Sequence, residues 1–363
     1  MKELLKKLIQ AKSTKDVGEL KCAQILADFF KAAGLKPKMD IWDKNRSNIT
    51  VRLKSAGEKP GLLFVGHLDV VPAENPAMFN PVERSGKIFG RGACDMKGGL
   101  AAAAAAIAET YKSNTKLKGD IIFSATAGEE TDSSGILKFA KSFKNKNLSG
   151  IIVPEPTGFK LVTAHRGLLW IQITTKGKPA HSSMPQLGIN AIDSMRMFLN
   201  ELENFKIRGC SRLLGKASLS VNRITGGTAS NIVPDECSTQ IDIRIVPGQN
   251  IKNIIRDLNK IIQKISKKDP EFQAEIKILR QACALETDVK SKFVQQLRSI
   301  LKTEPTAVPF TTDAPYLTYL NKPIVIFGPG EPGLCHKQNE HIKIKELKNA
   351  REYYIHILKH FSQ

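Results

Sequence analysis

Short runs of mostly apolar residues constrain the fold of this chain more than any other feature of its sequence. Four of them stand out, at residues 61–66, 121–127, 151–153 and 322–327. Runs of this kind are typical of strands that are buried on both faces of a sheet. Segments with helical spacing, at 99–111 and 135–143, lie between them. The alternation predicts an α/β fold, with a mostly parallel mixed sheet covered by helices on both faces.

The middle of the chain follows a different pattern. Apolar and polar residues alternate over 168–175, 217–224 and 238–246, which predicts antiparallel strands with one solvated face. Helices are expected at 188–205 and 250–266, and a last strand at 272–279. The order β-α-β-β-α-β resembles a ferredoxin-like unit. We therefore predict a catalytic domain in two parts, 1–167 and 282–363, interrupted by an inserted α+β domain at 168–281.

Composition and charge exclude several classes of protein. The longest uninterrupted apolar run, from Leu100 to Ala108, is only nine residues, whereas a membrane-spanning helix needs about 20. The N-terminal segment lacks the apolar core of a signal peptide, so a cytoplasmic protein is expected. The net charge of +20 raises the alternative of nucleic-acid binding, but the lysines and arginines never occur in runs longer than two. A lysine-rich solvated surface is the simpler interpretation.

The residues that can carry chemistry follow the predicted buried strands or lie in turns between them. They are His67, Asp95, Glu129, Glu130, Glu155 and His336. Ligands of α/β sheets bind beyond the carboxyl ends of the strands, where these side chains would meet. Four crowded carboxylates repel one another unless a cation holds them. Carboxylates together with imidazoles form the donor set that zinc and related divalent ions prefer.

Each of these residues also has a simpler interpretation when it is taken alone. Glu129 and Glu130 could be a solvated helix start, and Asp95 could cap the helix that follows it. A single histidine such as His336 in a loop rich in glycine and proline would be unremarkable. The metal hypothesis rests on all of them falling at one edge of one sheet.

At this point the sequence resembles a known family. Five segments are similar to the metal-site motifs of the M20 family of dinuclear zinc hydrolases, and they occur in the same order: His67-Leu-Asp69, Gly92-Ala-Cys-Asp-Met-Lys-Gly-Gly99, Glu129-Glu130, Pro154-Glu-Pro-Thr157 and His336. The resemblance extends over essentially the whole chain and implies a zinc-exopeptidase-like fold. Within the family, the chain most resembles the group of acetylornithine deacetylases and succinyl-diaminopimelate desuccinylases.

The resemblance implies a role for each ligand. His67 and Glu155 would bind one zinc ion, and Glu130 and His336 would bind the other. Asp95 would bridge the two ions. Cobalt is an alternative to zinc at such a centre.

The resemblance also implies the roles of two further carboxylates. Asp69 would orient and polarise the ring of His67. Glu129 would be the general base, which takes a proton from the attacking water and later gives it to the leaving amine. A cis peptide bond between Asp95 and Met96 is a further implication.

The inserted domain would act as a lid and as the dimerisation domain. Within it, His181 corresponds to a family histidine that reaches across the dimer interface to the substrate carbonyl of the other subunit. Taken alone, His181 would more simply be a structural residue of a turn. The resemblance therefore predicts a homodimer.

Four residues are candidates for substrate binding. Asn231 lies in a glycine-rich loop, which lacks the pattern of a phosphate-binding loop. Arg244 could pair with a substrate carboxylate, or it could form a surface ion pair. Thr312 and Asp313 belong to a segment that resembles one found in acetylornithine deacetylases, and this similarity places deacetylation first.

These observations favour an amidohydrolase that converts acetylornithine and water to ornithine and acetate, a step of arginine biosynthesis. Succinyl-diaminopimelate desuccinylation, or another M20 aminoacylase or carboxypeptidase activity, is the alternative within the family. A relative that only binds partners, and a nucleic-acid-binding protein, are the alternatives from other classes. The expected partner is a small N-acyl amino acid, with no membrane.

Overall fold

The computed structural model describes residues 1–114 and 116–362. Within these residues the chain forms eight α-helices: α1 (Lys2–Gln10), α2 (Leu20–Ala32), α3 (Lys97–Lys112), α4 (Ser134–Ser142), α5 (Ala191–Glu203), α6 (Ile251–Lys268), α7 (Lys292–Leu301) and α8 (Ile344–Ser362). The described strands are β1 (Lys38–Trp42), β2 (Arg46–Leu53), β3 (Gly61–His67), β4 (Val82–Arg84), β5 (Lys87–Phe89), β6 (Ile121–Thr126), β7 (Leu148–Val153), β8 (Leu161–His165), β9 (Gly167–Lys176), β10 (Cys210–Ser211), β11 (Gly215–Lys216), β12 (Ser218–Gly226), β13 (Glu236–Ile245), β14 (Gln273–Ala282), β15 (Leu285–Glu286), β16 (Pro305–Val308), β17 (Ile324–Ile326) and β18 (His341–Lys343).

The four apolar runs form strands of one mixed sheet, so the predicted α/β class is confirmed. Its order is β1-β2-β6-β3-β7-β17-β8-β15, with β16 also paired to β8. The four central strands, β6, β3, β7 and β17, are parallel to their neighbours in this group. The flanking pairs β1-β2, β2-β6 and β17-β8 are antiparallel. The parallel part of the sheet is therefore confined to its centre.

The alternation of side chains along β3 shows how helices cover the sheet. Leu62 and Phe64 belong to a core cluster to which α1, α2, α3, α7 and α8 contribute. Leu63 and Val65, which point the other way, are also buried. Helix α4 packs against β2 and β6 and buries Ile136 and Phe139. Burial on both faces explains why these strands have apolar residues at nearly every position.

The chain divides into two compact units. One comprises residues 1–163, 287–307 and 312–363, and the other comprises residues 164–286 and 308–311. The sequence-based boundaries at 167/168 and 281/282 differ from these by a few residues, and residues 308–311, expected in the catalytic domain, group with the second unit.

The second unit contains a four-stranded antiparallel sheet of order β12-β13-β9-β14. Numbered by their order along the chain, these strands have the spatial order 2-3-1-4, which is that of a ferredoxin-like unit. Helices α5 and α6 pack on this sheet and bury residues such as Phe198 and Leu258 in its core. The predicted topology of the inserted segment is therefore confirmed.

Among the helices of residues 1–114 and 116–362, none combines the length and the apolar character that crossing a lipid bilayer requires.

Candidate metal centre

Neighbouring parallel strands bring four of the predicted site residues to one edge of the sheet. His67 is the last residue of β3, and it lies opposite Thr126, the last residue of β6. Glu129 and Glu130 follow β6, and Glu155 follows β7, the other neighbour of β3. Since these strands run in the same direction, their polar continuations lie side by side.

Asp95 lies between the two histidines. Its Oδ1 is 3.2 Å from Nε2 of His67, and its Oδ2 is 3.2 Å from Nε2 of His336. Each oxygen of one carboxylate therefore faces a different imidazole. This arrangement suits a carboxylate that bridges two cations.

Each histidine also faces a second carboxylate. Nε2 of His67 is 3.5 Å from Oε1 of Glu155, and Nε2 of His336 is 2.9 Å from Oε1 of Glu130. Single ligand atoms of His67, Asp95 and Glu130 all lie within 4.8 Å of one another. The structure thus brings together all five predicted ligands, and the grouping of nitrogen and oxygen donors fits divalent cations such as zinc.

The ring of His67 is held by its other nitrogen. Nδ1 donates a hydrogen bond to the backbone carbonyl of Asp69 at 2.9 Å, so in the neutral form of the ring the lone pair is on Nε2, which faces the site. The carboxylate of Asp69 lies 3.5 Å from the same Nδ1. It also accepts the backbone N–H groups of Gly128, Glu129 and Glu130 at 2.9, 3.0 and 2.9 Å. Asp69 therefore fixes both the ring of one ligand and the turn that carries another.

The electrostatics of the site favour bound positive charge. Burial acts to lower the pKa of His67, but Glu155 and the hydrogen bonds to Asp69 and Asp95 raise it well above its usual value. Hydrogen bonds to Asp95 and Glu130 raise the pKa of His336 to about 10. Burial, together with the charge of Asp95, raises the pKa of Glu155 well above its usual value. The carboxylates thus repel one another and attract a cation.

Two glycines allow the site segments to approach each other closely. A Cβ at Gly99, in the first turn of α3, would lie 1.9 Å from the backbone oxygen of Pro154. A Cβ at Gly328, which follows β17 and Phe327, would lie 2.5 Å from the backbone oxygen of Glu155. Only glycine fits such approaches. The peptide bond between Asp95 and Met96 is cis, as the family resemblance implied.

Glu129 directly precedes the predicted ligand Glu130 and is only 8% exposed. Its backbone N–H donates to Oδ1 of Asp69 at 3.0 Å, and its charge contributes to the raised pKa of Glu155. A carboxylate in this position can exchange protons with a water molecule or with a substrate amine at the site. Its role as general base stays a prediction.

Three of the predicted substrate and catalytic residues lie in the second unit. His181 is exposed, and its Nδ1 is 2.7 Å from Oγ of Ser183. Asn231 is also exposed, and its backbone carbonyl accepts the N–H of Ser182. The guanidinium of Arg244 pairs with Asp242 on the same strand, with Nη2 at 3.0 Å from Oδ2. This ion pair is the alternative that the sequence left open for Arg244.

Thr312 and Asp313 belong to the first unit, where both are buried. Oγ1 of Thr312 accepts the backbone N–H of Ala314 at 3.1 Å, at the start of a 3₁₀ turn. Their contribution to substrate binding stays a prediction.

Sequence reasoning missed two residues that contact the metal-site segments. Arg91 and Glu340 form a buried ion pair, with Nη1 2.6 Å from Oε2. Glu340 lies four residues after His336, and Arg91 lies four residues before Asp95. Charged residues so close to two ligands were the available signal, but nothing in the sequence pairs them.

Comparison with known proteins identifies the family. The sequence pattern of peptidase family M20/M25/M40 matches residues 63–360. The chain belongs to this family. M20 proteins are metallopeptidases and related hydrolases, so the chain is a hydrolytic enzyme, and the family identified from the motifs is confirmed.

Two curated relatives cover nearly the full length of the chain. An acetylornithine deacetylase of Myxococcus xanthus is 29% identical over 347 residues, which span 93% of this chain and 90% of the relative. A probable succinyl-diaminopimelate desuccinylase of Staphylococcus aureus (strain N315) is 30% identical over an alignment of 392 positions, gaps included, which covers 96% of this chain and 93% of the relative.

The fold has close counterparts among solved structures. An M20 family metallo-carboxypeptidase from Sulfolobus solfataricus superimposes with a TM-score of 0.80 at 21% identity, over 98% of both chains. This similarity confirms the mixed α/β architecture.

Proposed function

We propose that this M20 hydrolase is a two-metal deacetylase that converts N-acetylornithine and water to ornithine and acetate. The observation that carries the proposal is the position of Asp95, with one carboxylate oxygen at 3.2 Å from each of two histidines. That geometry supports a pair of adjacent cations with a shared ligand. A hydrolase with such a centre is suited to the cleavage of an amide bond.

Five residues would hold the cations, as the family resemblance implies. His67 and Glu155 would bind one, His336 and Glu130 the other, and Asp95 both. We propose zinc, with cobalt as an alternative, because two imidazoles and three carboxylates suit either ion. When bound, the ions would supply Lewis acidity toward water and toward the substrate carbonyl.

Glu129 would move the proton in this reaction. Glu129 is largely buried and directly precedes Glu130 in the turn that Asp69 holds, and the five proposed ligands do not include it. It would accept a proton from the water that attacks the acetyl carbonyl. It would then donate that proton to the nitrogen of ornithine as the amide bond breaks, so that the amine leaves as a neutral group.

The choice of acetylornithine rests on the deacetylase relative and on the segment that contains Thr312 and Asp313. A second candidate has comparable support, because the desuccinylase relative is 30% identical to this chain and the deacetylase relative is 29% identical. Cleavage of succinyl-diaminopimelate would use the same centre and differ only in the acyl group. The experiment is a parallel assay of acetate and succinate release from the two substrates by the zinc-loaded enzyme. Acetate release alone supports the proposal, succinate release alone selects the second candidate, and turnover of neither contradicts both.

We also propose that the chain forms a homodimer through its second unit. Strand β12 is an edge strand on which every residue from Val221 to Gly226 is exposed, including Val221 at 41% and Ile224 at 54%. Exposed, apolar edge strands tend to pair with another chain. In the dimer, the partner subunit's His181 would contact the carbonyl oxygen of the substrate.

Sedimentation of wild type and of Ile224→Lys tests the dimer. The substitution places a charge on the β12 edge, and we expect a monomer in place of a dimer. Leu279→Lys, at a comparably exposed position on the opposite edge strand β14, is the matched control and should stay dimeric. A monomeric wild type would contradict the proposal. The expected cytoplasmic location and place in arginine biosynthesis belong to the same proposal.

A further inference from the structure

Glu340 connects two parts of the metal centre that are far apart in the sequence. Its carboxylate is fully buried. Oε1 accepts three backbone N–H groups, from Gly92 at 2.9 Å, Cys94 at 3.0 Å and Asp95 at 3.1 Å. The last of these belongs to the proposed bridging ligand, 245 residues away in the chain.

Arg91 extends this connection to the other side of the site. Its Nη1 donates to Oε2 of Glu340 at 2.6 Å. Its Nη2 donates to the backbone carbonyl of His336 at 3.2 Å, and Nη1 also reaches the carbonyl of Lys337 at 3.4 Å. The backbone of Asp95 and the backbone of His336 are thus both bonded to one buried ion pair.

Local strand pairing explains why the two charges meet. Strand β5 ends just before Gly90, and β18 begins just after Glu340. The two strands are antiparallel, with Phe89 opposite His341, and the N–H of Gly90 donates to the carbonyl of Glu340 at 3.1 Å. This small sheet therefore brings Arg91 and Glu340 together beside the segments that carry Asp95 and His336.

We propose that Glu340, together with Arg91, is a positioning residue that fixes the separation of Asp95 and His336, and hence the spacing of the two cations. Neither side chain is a ligand in this proposal. A carboxylate whose three N–H bonds go to the ligand-bearing turn resists displacement of that turn. A guanidinium that bonds both to this carboxylate and to the carbonyl of His336 resists displacement of the opposite loop. Contacts of this kind to metal ligands commonly change metal affinity by about 10–100-fold when they are removed.

A buried ion pair that only stabilises the fold is the competing explanation, and it predicts a different outcome. Such a pair would lower the stability of the protein when broken, but it would leave the geometry of a loaded metal site unchanged. The test must therefore report on the metal directly. Titration of the metal-free protein with Co²⁺ does so, because the visible absorption of bound Co²⁺ reports the number and the geometry of its ligands.

Three variants make the test specific. Glu340→Gln keeps an oxygen that can accept the backbone N–H groups. Its amide N–H, however, would face the N–H groups of Arg91, and two donors cannot form a hydrogen bond with each other. Arg91→Lys keeps the charge but loses the two-pronged contact. Asp120→Asn is the matched control, because Asp120 also accepts a backbone N–H, from Ser55 at 2.8 Å, and pairs with an arginine, yet it precedes β6 at the opposite end of the strand from the ligands.

We expect Glu340→Gln to bind Co²⁺ at least about 10-fold more weakly than wild type, with an altered spectrum at saturation. Arg91→Lys should change the Co²⁺ affinity and the spectrum in the same direction. The Co²⁺ affinity of Asp120→Asn should stay within about twofold of that of wild type. An unchanged affinity and spectrum in Glu340→Gln would overturn the inference.

The inference rests on the proposed two-metal centre. The Co²⁺ titration distinguishes failure of the inference from failure of that proposed centre. Wild type that binds fewer than two Co²⁺ ions contradicts the proposed function itself. Wild type that binds two ions, with Glu340→Gln identical to it, contradicts only the role of Glu340. Should Glu340→Gln fail to fold by circular dichroism, Arg91→Lys is judged by the same criteria. Failure of both to fold assigns the pair a purely structural role and also overturns the inference.

Discussion

Asp69 lies directly behind His67, with its Oδ1 3.5 Å from Nδ1 of the ring. Both oxygens of Asp69 also accept backbone N–H groups from the turn at 128–130. The carboxylate thus supports two ligand-bearing segments without facing the site itself. Its contribution is to hold the donors in place before a cation arrives.

Replacing Asp69 should therefore weaken metal binding without removing a ligand. In Asp69→Asn, an amide N–H takes the place of an acceptor oxygen and opposes a backbone N–H of the turn. We expect the affinity for zinc to fall by about 10–100-fold. Competition with a chelator of known affinity measures this change. Unaltered zinc affinity would show that the ring and the turn are held by other contacts.

Glu129→Gln should separate proton transfer from metal binding. The amide cannot accept a proton, so we expect kcat to fall by about 10²–10⁴-fold while two metals remain bound. Glu130→Gln is the matched control, since Glu130 faces His336 at 2.9 Å and should lose metal when changed. Metal content and kcat are measured on the same samples. Loss of a metal from Glu129→Gln would mean that Glu129 is a ligand and not the base.

Asp95→Ala should weaken both cation sites together, because each oxygen of Asp95 faces a different histidine. Glu155→Ala, which removes a carboxylate near His67 alone, should weaken only one site. Zinc content at a series of free zinc concentrations distinguishes the two patterns. Full occupancy of either site in Asp95→Ala would refute the bridge.

Much of this architecture could be predicted because its causes are local. A strand buried on both faces needs apolar residues at successive positions, and the polar residue that ends the run then marks the edge of the sheet. That reasoning predicts the positions of His67 and Glu155 at the edge of the sheet. Alternation in the middle of the chain predicted the antiparallel sheet of the second unit in the same way.

The parts that could not be predicted depend on contacts between distant segments. Lys97 is fully buried, and its Nζ donates to the backbone carbonyl of Leu8 at 2.8 Å, although a lysine is ordinarily expected at the surface. Arg91 and Glu340 meet only because β5 and β18 pair. No periodicity within one segment reports such long-range contacts.

His181 offers a test of catalysis across a dimer interface. His181→Ala and Glu129→Gln should each abolish most turnover when present in both subunits. In a mixed dimer, the subunit with intact Glu129 receives the partner's His181, so that one complete site remains. Random mixing of the two inactive variants should then restore about a quarter of the wild-type rate. Absence of recovery, with mixed dimers shown by mass spectrometry, would place His181 in the site of its own chain or outside any site.

His165 should make the stability of the protein depend on pH. It is fully buried at the end of β8, and Nδ1 donates to the backbone carbonyl of Arg166 at 2.7 Å. Burial lowers the pKa of His165 to about 4, from an ordinary value of 6.5. The folded state therefore keeps the ring neutral, while the unfolded chain takes up a proton below pH 6.5. The contribution of His165 to the free energy of unfolding is therefore largest above pH 6.5. It decreases as the pH falls from 6.5 toward 4, and it does not change further below pH 4.

The size and specificity of this effect can be measured by urea unfolding of the metal-free protein. Between pH 6.5 and 5 the contribution of His165 should amount to about 2 kcal/mol, since each unit of pKa difference corresponds to about 1.4 kcal/mol. His165→Asn keeps an N–H donor but cannot be protonated, so its free energy of unfolding should fall less over this range than that of wild type. His356→Asn, at an exposed position on α8, is the matched control and should follow wild type. Parallel pH dependences for wild type and His165→Asn would show that the buried ring is not the titrating group, because only protonation of His165 distinguishes the two proteins.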